Sequence, residues 1–298
     1  MYGIITALAK RFPTETTLFK QSFDSLTIYS YLCLALASTA LLCGCLMEEK
    51  IIFQPDAEIH QTPRNVGLAF DDIYFTTEDG VRLNGWFVPH PRAASTLLWF
   101  HGNAGNISHR VDNIKLLHDT VNVNIFIFDY RGYGRSDGMA SEEGTYRDGA
   151  AAIEFLRQRY GVDQSKLIIF GRSLGAAVAA EMATRVQSLA VILETPFVSV
   201  RMMARDKFPF LPIGPLLKTR YDVVEKVRKI RSPLLVLHGD RDEIVPFSHG
   251  KQVFDAAPQP KWFYTIAGAG HNDTYLVGGN PYFAALRQHI ERAEASSR

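Results

Sequence analysis

From residue 72 onward, short apolar runs recur at Asp72–Thr76, Leu83–Val88, Thr96–Phe100, Ile125–Asp129, Leu167–Phe170, Val191–Glu194, Leu234–His238 and Trp262–Ile266. Runs this short, rich in β-branched and aromatic residues, read as strands, and several are continuous enough to be buried on both faces. The first two are joined through Thr77-Glu78-Asp79-Gly80, a composition suited to a tight hairpin. The later runs alternate with helical stretches, such as the alanine-rich Leu174–Arg185 and the amphipathic segment around Tyr282–Arg292. That alternation predicts a mostly parallel sheet with covering helices. Between Thr195 and Ser232 the pattern breaks into a proline-rich insertion containing Phe208-Pro209-Phe210-Leu211-Pro212-Ile213-Gly214-Pro215-Leu216-Leu217. Prolines exclude a long helix there, so a short, stiff cap is expected at about residues 196–231. Its apolar side chains either line an acyl pocket or pack the cap onto the domain.

At the other end, Ser25–Met47 contains no charged residue. As a helix it would span roughly 34 Å, enough to cross a bilayer. Lys10, Arg11 and Lys20 precede it and Glu48 and Glu49 follow, a bias that places the N-terminus inside and the remainder outside, on the periplasmic or extracellular side. All three cysteines, Cys33, Cys43 and Cys45, lie within it. Leu42-Cys43-Gly44-Cys45 is similar to a bacterial lipoprotein signal, in which Cys45 would be lipidated. A retained anchor and a lipidated Cys45 both attach the chain to a membrane. The expected organisation is an N-terminal segment (1–24), the anchor or signal (25–47) and one large domain (51–298), a size at which a single core is ordinary. The net charge of +1 without a basic stripe excludes an electrostatic case for nucleic-acid binding.

The candidate chemistry begins at Gly171-Arg172-Ser173-Leu174-Gly175, directly after an apolar run and before a helix. That context marks a nucleophile elbow, a sharp strand-to-helix turn that exposes the serine. A serine hydroxyl needs a base to take its proton and a carboxylate to orient the base. In hydrolases built on such an elbow the chain order is Ser, then Asp or Glu, then His. Of the nine histidines only His249, His271 and His289 follow the candidate acids. His271 sits in a loop after the last strand and is the expected base, since His249 and His289 fall on helices. Asp242 is the expected acid, further out from the strand end than Asp240, which reads as a turn former, while Glu243 reads as exposed. Oxyanion donors are expected from the backbone N–H groups of Leu174 and of Asn103, in the loop His101-Gly102-Asn103-Ala104-Gly105-Asn106. His101 reads as a brace for that loop and lacks partners at a metal-ligand spacing. Tyr130–Ser136 reads as structural, its arginines anchoring carboxylates, because no phosphate-binding lysine pattern follows its glycines.

Taken in order, His101–Asn106, Phe128–Ser136, Gly171–Gly175, His238–Pro246 and Gly270-His271 resemble the Bem46-type branch of the α/β-hydrolases. That branch includes bacterial membrane-associated hydrolases and is similar to mammalian depalmitoylating α/β-hydrolase-domain proteins. The resemblance runs from about Ile51 to the C-terminus. It departs at Ala176, where glycine is common, and at Arg241, inside the acid loop. It implies an α/β-hydrolase fold, without cofactor or metal, in which Ser173, Asp242 and His271 are nucleophile, acid and base. The expected activity is hydrolysis of a small-molecule or lipid acyl ester or thioester through an acyl-enzyme. A serine peptidase or amidase is the chemical alternative, and a non-catalytic scaffold on this fold is the alternative of another class. Haloalkane dehalogenation would want a carboxylate in place of Ser173.

Overall fold

The computed structural model describes residues 48–296 except 212 and 213. The described residues from Glu49 onward form one compact unit. Segment 25–47, with Cys45, lies outside the described residues, and among those described no helix is long and apolar enough to cross a membrane.

Eight strands form one sheet: β1 (Asp71–Thr76), β2 (Arg82–Val88), β3 (Thr96–Phe100), β4 (Asn124–Phe128), β5 (Leu167–Arg172), β6 (Ala190–Glu194), β7 (Leu234–Gly239) and β8 (Lys261–Ile266). Each matches an apolar run, its ends shifted by at most two residues. Their spatial order is β1-β2-β4-β3-β5-β6-β7-β8. β2 pairs antiparallel with both β1 and β4, and every other pairing is parallel. This is the α/β-hydrolase fold expected from the sequence. Strand order reverses around β3, with β4 on one side and β5 on the other. Successive connections leave such a point in opposite directions and open a crevice at the carboxyl ends of the strands. Register sets Phe100 beside Gly171 and Arg172 beside Glu194, so the loops after β3, β5 and β6 meet there.

Side chains along the central strands alternate between two apolar layers, as a pleat of period two requires. Leu98, Phe100 and Ile169 pack with α2 (Glu142–Tyr160), α3 (Leu174–Arg185), α5 (Val223–Val227) and α6 (Phe247–Ala256) on one face. Leu97, Trp99 and Phe170 pack with α1 (Val111–Val121) and α7 (Thr274–Ser296) on the other. β3, β5, β6 and β7 are buried along their whole length, which is why they read as unbroken apolar runs. Helix α7 begins earlier than its amphipathic pattern suggests and is broken at Gly279 (φ 49°), just before Pro281. The amphipathic part starts after that break.

The insertion after β6 forms α4 (Val200–Lys207), a 3-10 turn (Gly214–Leu216) and α5. Ser199 caps α4 by accepting the Met202 N–H, and the helix ends as the chain enters the proline-rich run. The chain is back in the core by Tyr221, whose buried hydroxyl lies 2.8 Å from Thr145 Oγ1.

The Tyr130–Ser136 loop is held as its arginines suggested. Arg131 donates to Asp148 from its backbone (2.9 Å) and from Nε (2.8 Å), and reaches Asp79 of the β1–β2 hairpin through Nη1 (2.8 Å) and Nη2 (3.0 Å). Asp148 is wholly buried, and burial pushes it up to about 6 despite the arginine. Removing one partner of such a pair strands the other in an apolar setting. Arg131→Met is therefore expected to cost about 3–5 kcal/mol in urea unfolding; a loss below about 1 kcal/mol would show that the cluster contributes little.

Candidate active site

The turn between β5 and α3 places Ser173 at φ 53°, ψ −118°, a conformation that L residues seldom adopt and that costs roughly 1–3 kcal/mol. Its surroundings leave no alternative path. A Cβ on Gly171 would lie 2.3 Å from the Gly175 carbonyl, and one on Gly175 would lie 2.0 Å from the Phe100 carbonyl. The motif's two glycines thus let α3 start against the ends of β5 and β3. The Ser173 N–H is tied to the Glu194 carbonyl at 2.9 Å.

The structure brings Ser173, Asp242 and His271 together from three loops. His271 Nε2 lies 3.0 Å from Ser173 Oγ and His271 Nδ1 lies 2.7 Å from Asp242 Oδ2. A carboxylate opposite Nδ1 fixes the proton there and leaves Nε2 as the acceptor for the serine hydroxyl. The other carboxylate oxygen, Oδ1, accepts the backbone N–H groups of Ile244 (2.9 Å) and Val245 (2.7 Å). Burial alone would raise Asp242, but hydrogen bonds from His238 and His271 outweigh it and hold the carboxyl well below the usual range. Asp240 instead accepts the Gly268 N–H at 2.7 Å, and Glu243 is exposed yet accepts the His271 N–H at 3.3 Å. His249 and His289 are buried away from Ser173, His249 against Asp206 (2.7 Å) and His289 against the Val191 carbonyl (3.2 Å).

Sequence reasoning does not single out His238, Arg172, Glu194, Thr274 or Tyr282, which support this group. Arg172 Nη2 donates to the His271 carbonyl at 2.5 Å, and Arg172 Nε lies 3.7 Å from Glu194 Oε1. Thr274 and Tyr282 donate to the same buried carboxylate. A charged residue closing an otherwise apolar strand is the signal that could have found Arg172 and Glu194.

The loop after β3 passes directly over the serine, with a Gly102 Cβ position 3.7 Å from Ser173 Cβ. Asn103 and Leu174 both line the wall there, and Leu174 opens a helix, where N–H groups lack intrahelical acceptors. The Asn103 side chain turns outward: Oδ1 accepts from Tyr133 Oη (2.8 Å) and the Gln54 N–H (3.2 Å), and Nδ2 donates to the Ile52 carbonyl (2.5 Å). Segment 52–58 thereby straps the loop in place, helped by Asn106 Nδ2 donating to the carbonyls of Asp56 and Glu58. Beneath it His101 is wholly buried, donating to the Gly102 carbonyl at 2.7 Å, with Nε2 3.5 Å from Asp129 Oδ1. Burial holds His101 down at about 3 and pushes Asp129 up to about 8, so both are uncharged at neutral pH.

The cavity above Ser173 measures about 760 Å³. The insertion supplies Phe197, Val200 and Met203 to its wall, and none of the described side chains of the Phe208–Leu217 run joins them. Phe208, Phe210, Leu211 and Leu216 are exposed, so the expectation that these residues line an acyl pocket or pack the cap down is corrected. Asp56, His60 and His109 gather at the rim with one ligand atom each within 4.8 Å of the others, a grouping that spacing does not reveal. The exposed Asp56–His60 pair (3.0 Å) accounts for that contact without an ion.

Fold and site geometry together define a hydrolase of the α/β class. The chain is 32% identical to protein bem46 of Schizosaccharomyces pombe over 277 residues, covering 86% of this chain and 90% of that one. It is 37% identical to human alpha/beta hydrolase domain-containing protein 17B over 217 residues, covering 72% and 73%. The chain belongs to the Bem46-type α/β-hydrolase family. The prolyl oligopeptidase family matches residues 135–271. Among solved structures, the Pyrococcus furiosus esterase Pf2001 superposes with a TM-score of 0.68 at 20% identity, over 80% of this chain and 98% of that one, a likeness of fold.

The buried Asp129 gives a measurable signature. It stays protonated in the fold up to about pH 8, whereas in the unfolded chain it ionises above about pH 4. The unfolded state therefore releases its proton first, and stability falls as pH rises through that window. Asp129→Asn keeps an acceptor for the Ile107 N–H, which Oδ1 holds at 2.9 Å, and removes the titration. Urea midpoints from pH 5 to pH 8 are expected to fall in the wild type relative to the variant; parallel curves would mean that Asp129 is already ionised in the fold.

Proposed function

We propose that this chain is a serine hydrolase of carboxylic esters or thioesters. The observation that carries the reading is the line Ser173 Oγ, His271 Nε2, His271 Nδ1, Asp242 Oδ2, with contacts of 3.0 Å and 2.7 Å. As Ser173 Oγ attacks the acyl carbonyl, its proton passes to His271 Nε2. Asp242 holds the ring and stabilises the imidazolium that forms. The amides of Leu174 and Asn103 receive the oxyanion, each donor worth about 100- to 1000-fold in rate. His271 returns the proton to the departing alkoxide or thiolate, then activates water to release the acyl group from Ser173.

The family match to prolyl oligopeptidases favours amide cleavage as the second reading, because the same groups can expel an amine. A scaffold role predicts a damaged catalytic group, which this geometry does not support. The uncharged stretch 25–47 further supports attachment to a membrane, by a retained helix or through lipid on Cys45, with the catalytic domain on the outer side.

Purified full-length chain is expected to take a fluorophosphonate label and to hydrolyse 4-nitrophenyl esters, with both signals lost in Ser173→Ala. Asp242→Asn should lower kcat by about 10³- to 10⁴-fold with little change in KM. Turnover of matched nitroanilides but not esters would replace the esterase reading by the peptidase one; equal, negligible signals in wild type and Ser173→Ala would favour the scaffold.

A further inference from the structure

The wall of the cavity above Ser173 carries positive charge that the fold leaves partly unanswered. Arg110 and Arg172 both line it, and each has its Nε buried without a hydrogen-bond partner. Arg172 has a share of Glu194 at 3.7 Å, but Thr274 and Tyr282 also draw on that carboxylate. Arg110 donates from Nη2 to the Ala104 carbonyl at 2.5 Å, and among the described residues no carboxylate pairs with it. Asp129, the acid whose charge would act on it, is kept neutral by burial up to about pH 8. Asp56, the one carboxylate in the cavity wall among the described residues, is engaged by His60 at 3.0 Å. Burial, and then the nearby Arg172, lower Arg110 to about 10, so it keeps its charge at neutral pH while lacking a counter-ion. A desolvated charge without a partner is expensive, and proteins retain one where a ligand supplies the missing charge.

The cap's contribution to this cavity is of the opposite kind, apolar side chains from Phe197, Val200 and Met203. We propose that Arg110 and Arg172 form an anion subsite, so that the ester cleaved at Ser173 carries a carboxylate or phosphate on its leaving group while its acyl chain lies against the cap residues. The inference rests on the serine-hydrolase reading and names its substrate class. Guanidinium forks suit both anions, because two parallel N–H groups match two oxygens of either.

Two probes that differ by one carboxylate test it: 2-nitrophenyl octanoate and 4-nitro-3-octanoyloxybenzoate, both offered to the full-length chain. Arg110→Gln is expected to lower kcat/KM for the carboxylated ester at least about tenfold more than for the neutral one, as loss of a hydrogen bond to a charged group predicts. Arg110→Lys should recover part of the difference. A second measurement needs neither turnover nor an arginine variant: calorimetry on Ser173→Ala should show n-octyl phosphate binding at least about tenfold more tightly than 1-octanol. An unchanged ratio between the two esters, or equal affinity for the two octyl probes, overturns the anion subsite. Failure of wild type to hydrolyse either ester or to take a fluorophosphonate label overturns the serine-hydrolase reading instead, and the octyl probes then still decide whether the arginines bind an anion.

Discussion

The start of helix α3 is pressed against the ends of two strands, and the rest of the site depends on that contact. Ser173 cannot relax into an ordinary helix cap without moving Gly175 away from the Phe100 carbonyl or Gly171 away from α3 itself. The contact works because the start of α3 is rich in small side chains, with Ala176, Ala177, Ala179 and Ala180 fully buried. A helix of leucines would stand further off the sheet and leave the turn room to unwind. The strain of the φ 53° serine is thus borne by packing spread along twelve residues together with the Glu194 carbonyl that holds the Ser173 N–H.

Packing fixes the serine, and a buried polar group brings the other loops to it. Glu194 ends β6 with no exposed surface, its carbonyl holding the Ser173 N–H and its carboxylate holding Thr274 and Tyr282 at either end of the break in α7. Arg172, next to the serine, completes the set by gripping the His271 carbonyl. Strand β6 therefore sets the position of the His271 loop relative to the elbow, although neither chemical group lies on it. Buried networks of this kind favour one arrangement, because moving the loop would strip Glu194, Thr274 and Tyr282 of these partners.

Much of this was legible in the sequence for physical reasons. Central parallel strands are buried on both faces, so their apolar runs mark them with errors of only one or two residues. Gly171 and Gly175 bracket Ser173 because no other residue fits either place, and His271 follows from chain order. The insertion was legible only in part. Its composition excludes a long helix, but side-chain burial there depends on where the chain returns to the core, and Phe208, Phe210 and Leu216 face outward instead of lining the cavity. The network around Glu194 was illegible for a different reason: Thr274 and Tyr282 meet it across 80 and 88 residues of chain, separations that no local pattern encodes.

The protonation states beneath the loop after β3 follow from the same economy of charge. His101 and Asp129 lie 3.5 Å apart with no exposed side-chain surface, a setting in which an ion pair would need several further hydrogen bonds to offset desolvation. Those bonds are missing, since His101 Nε2 and Asp129 Oδ2 both lack partners. A neutral pair is the cheaper state, and it suits the chemistry above it. An ionised carboxylate under a loop whose amides are to receive an oxyanion would oppose the charge developing there, whereas a neutral acid does not. The sequence Phe128-Asp129-Tyr130 places a carboxyl at the end of β4 to accept the Ile107 N–H, and burial silences its charge where that charge would do harm.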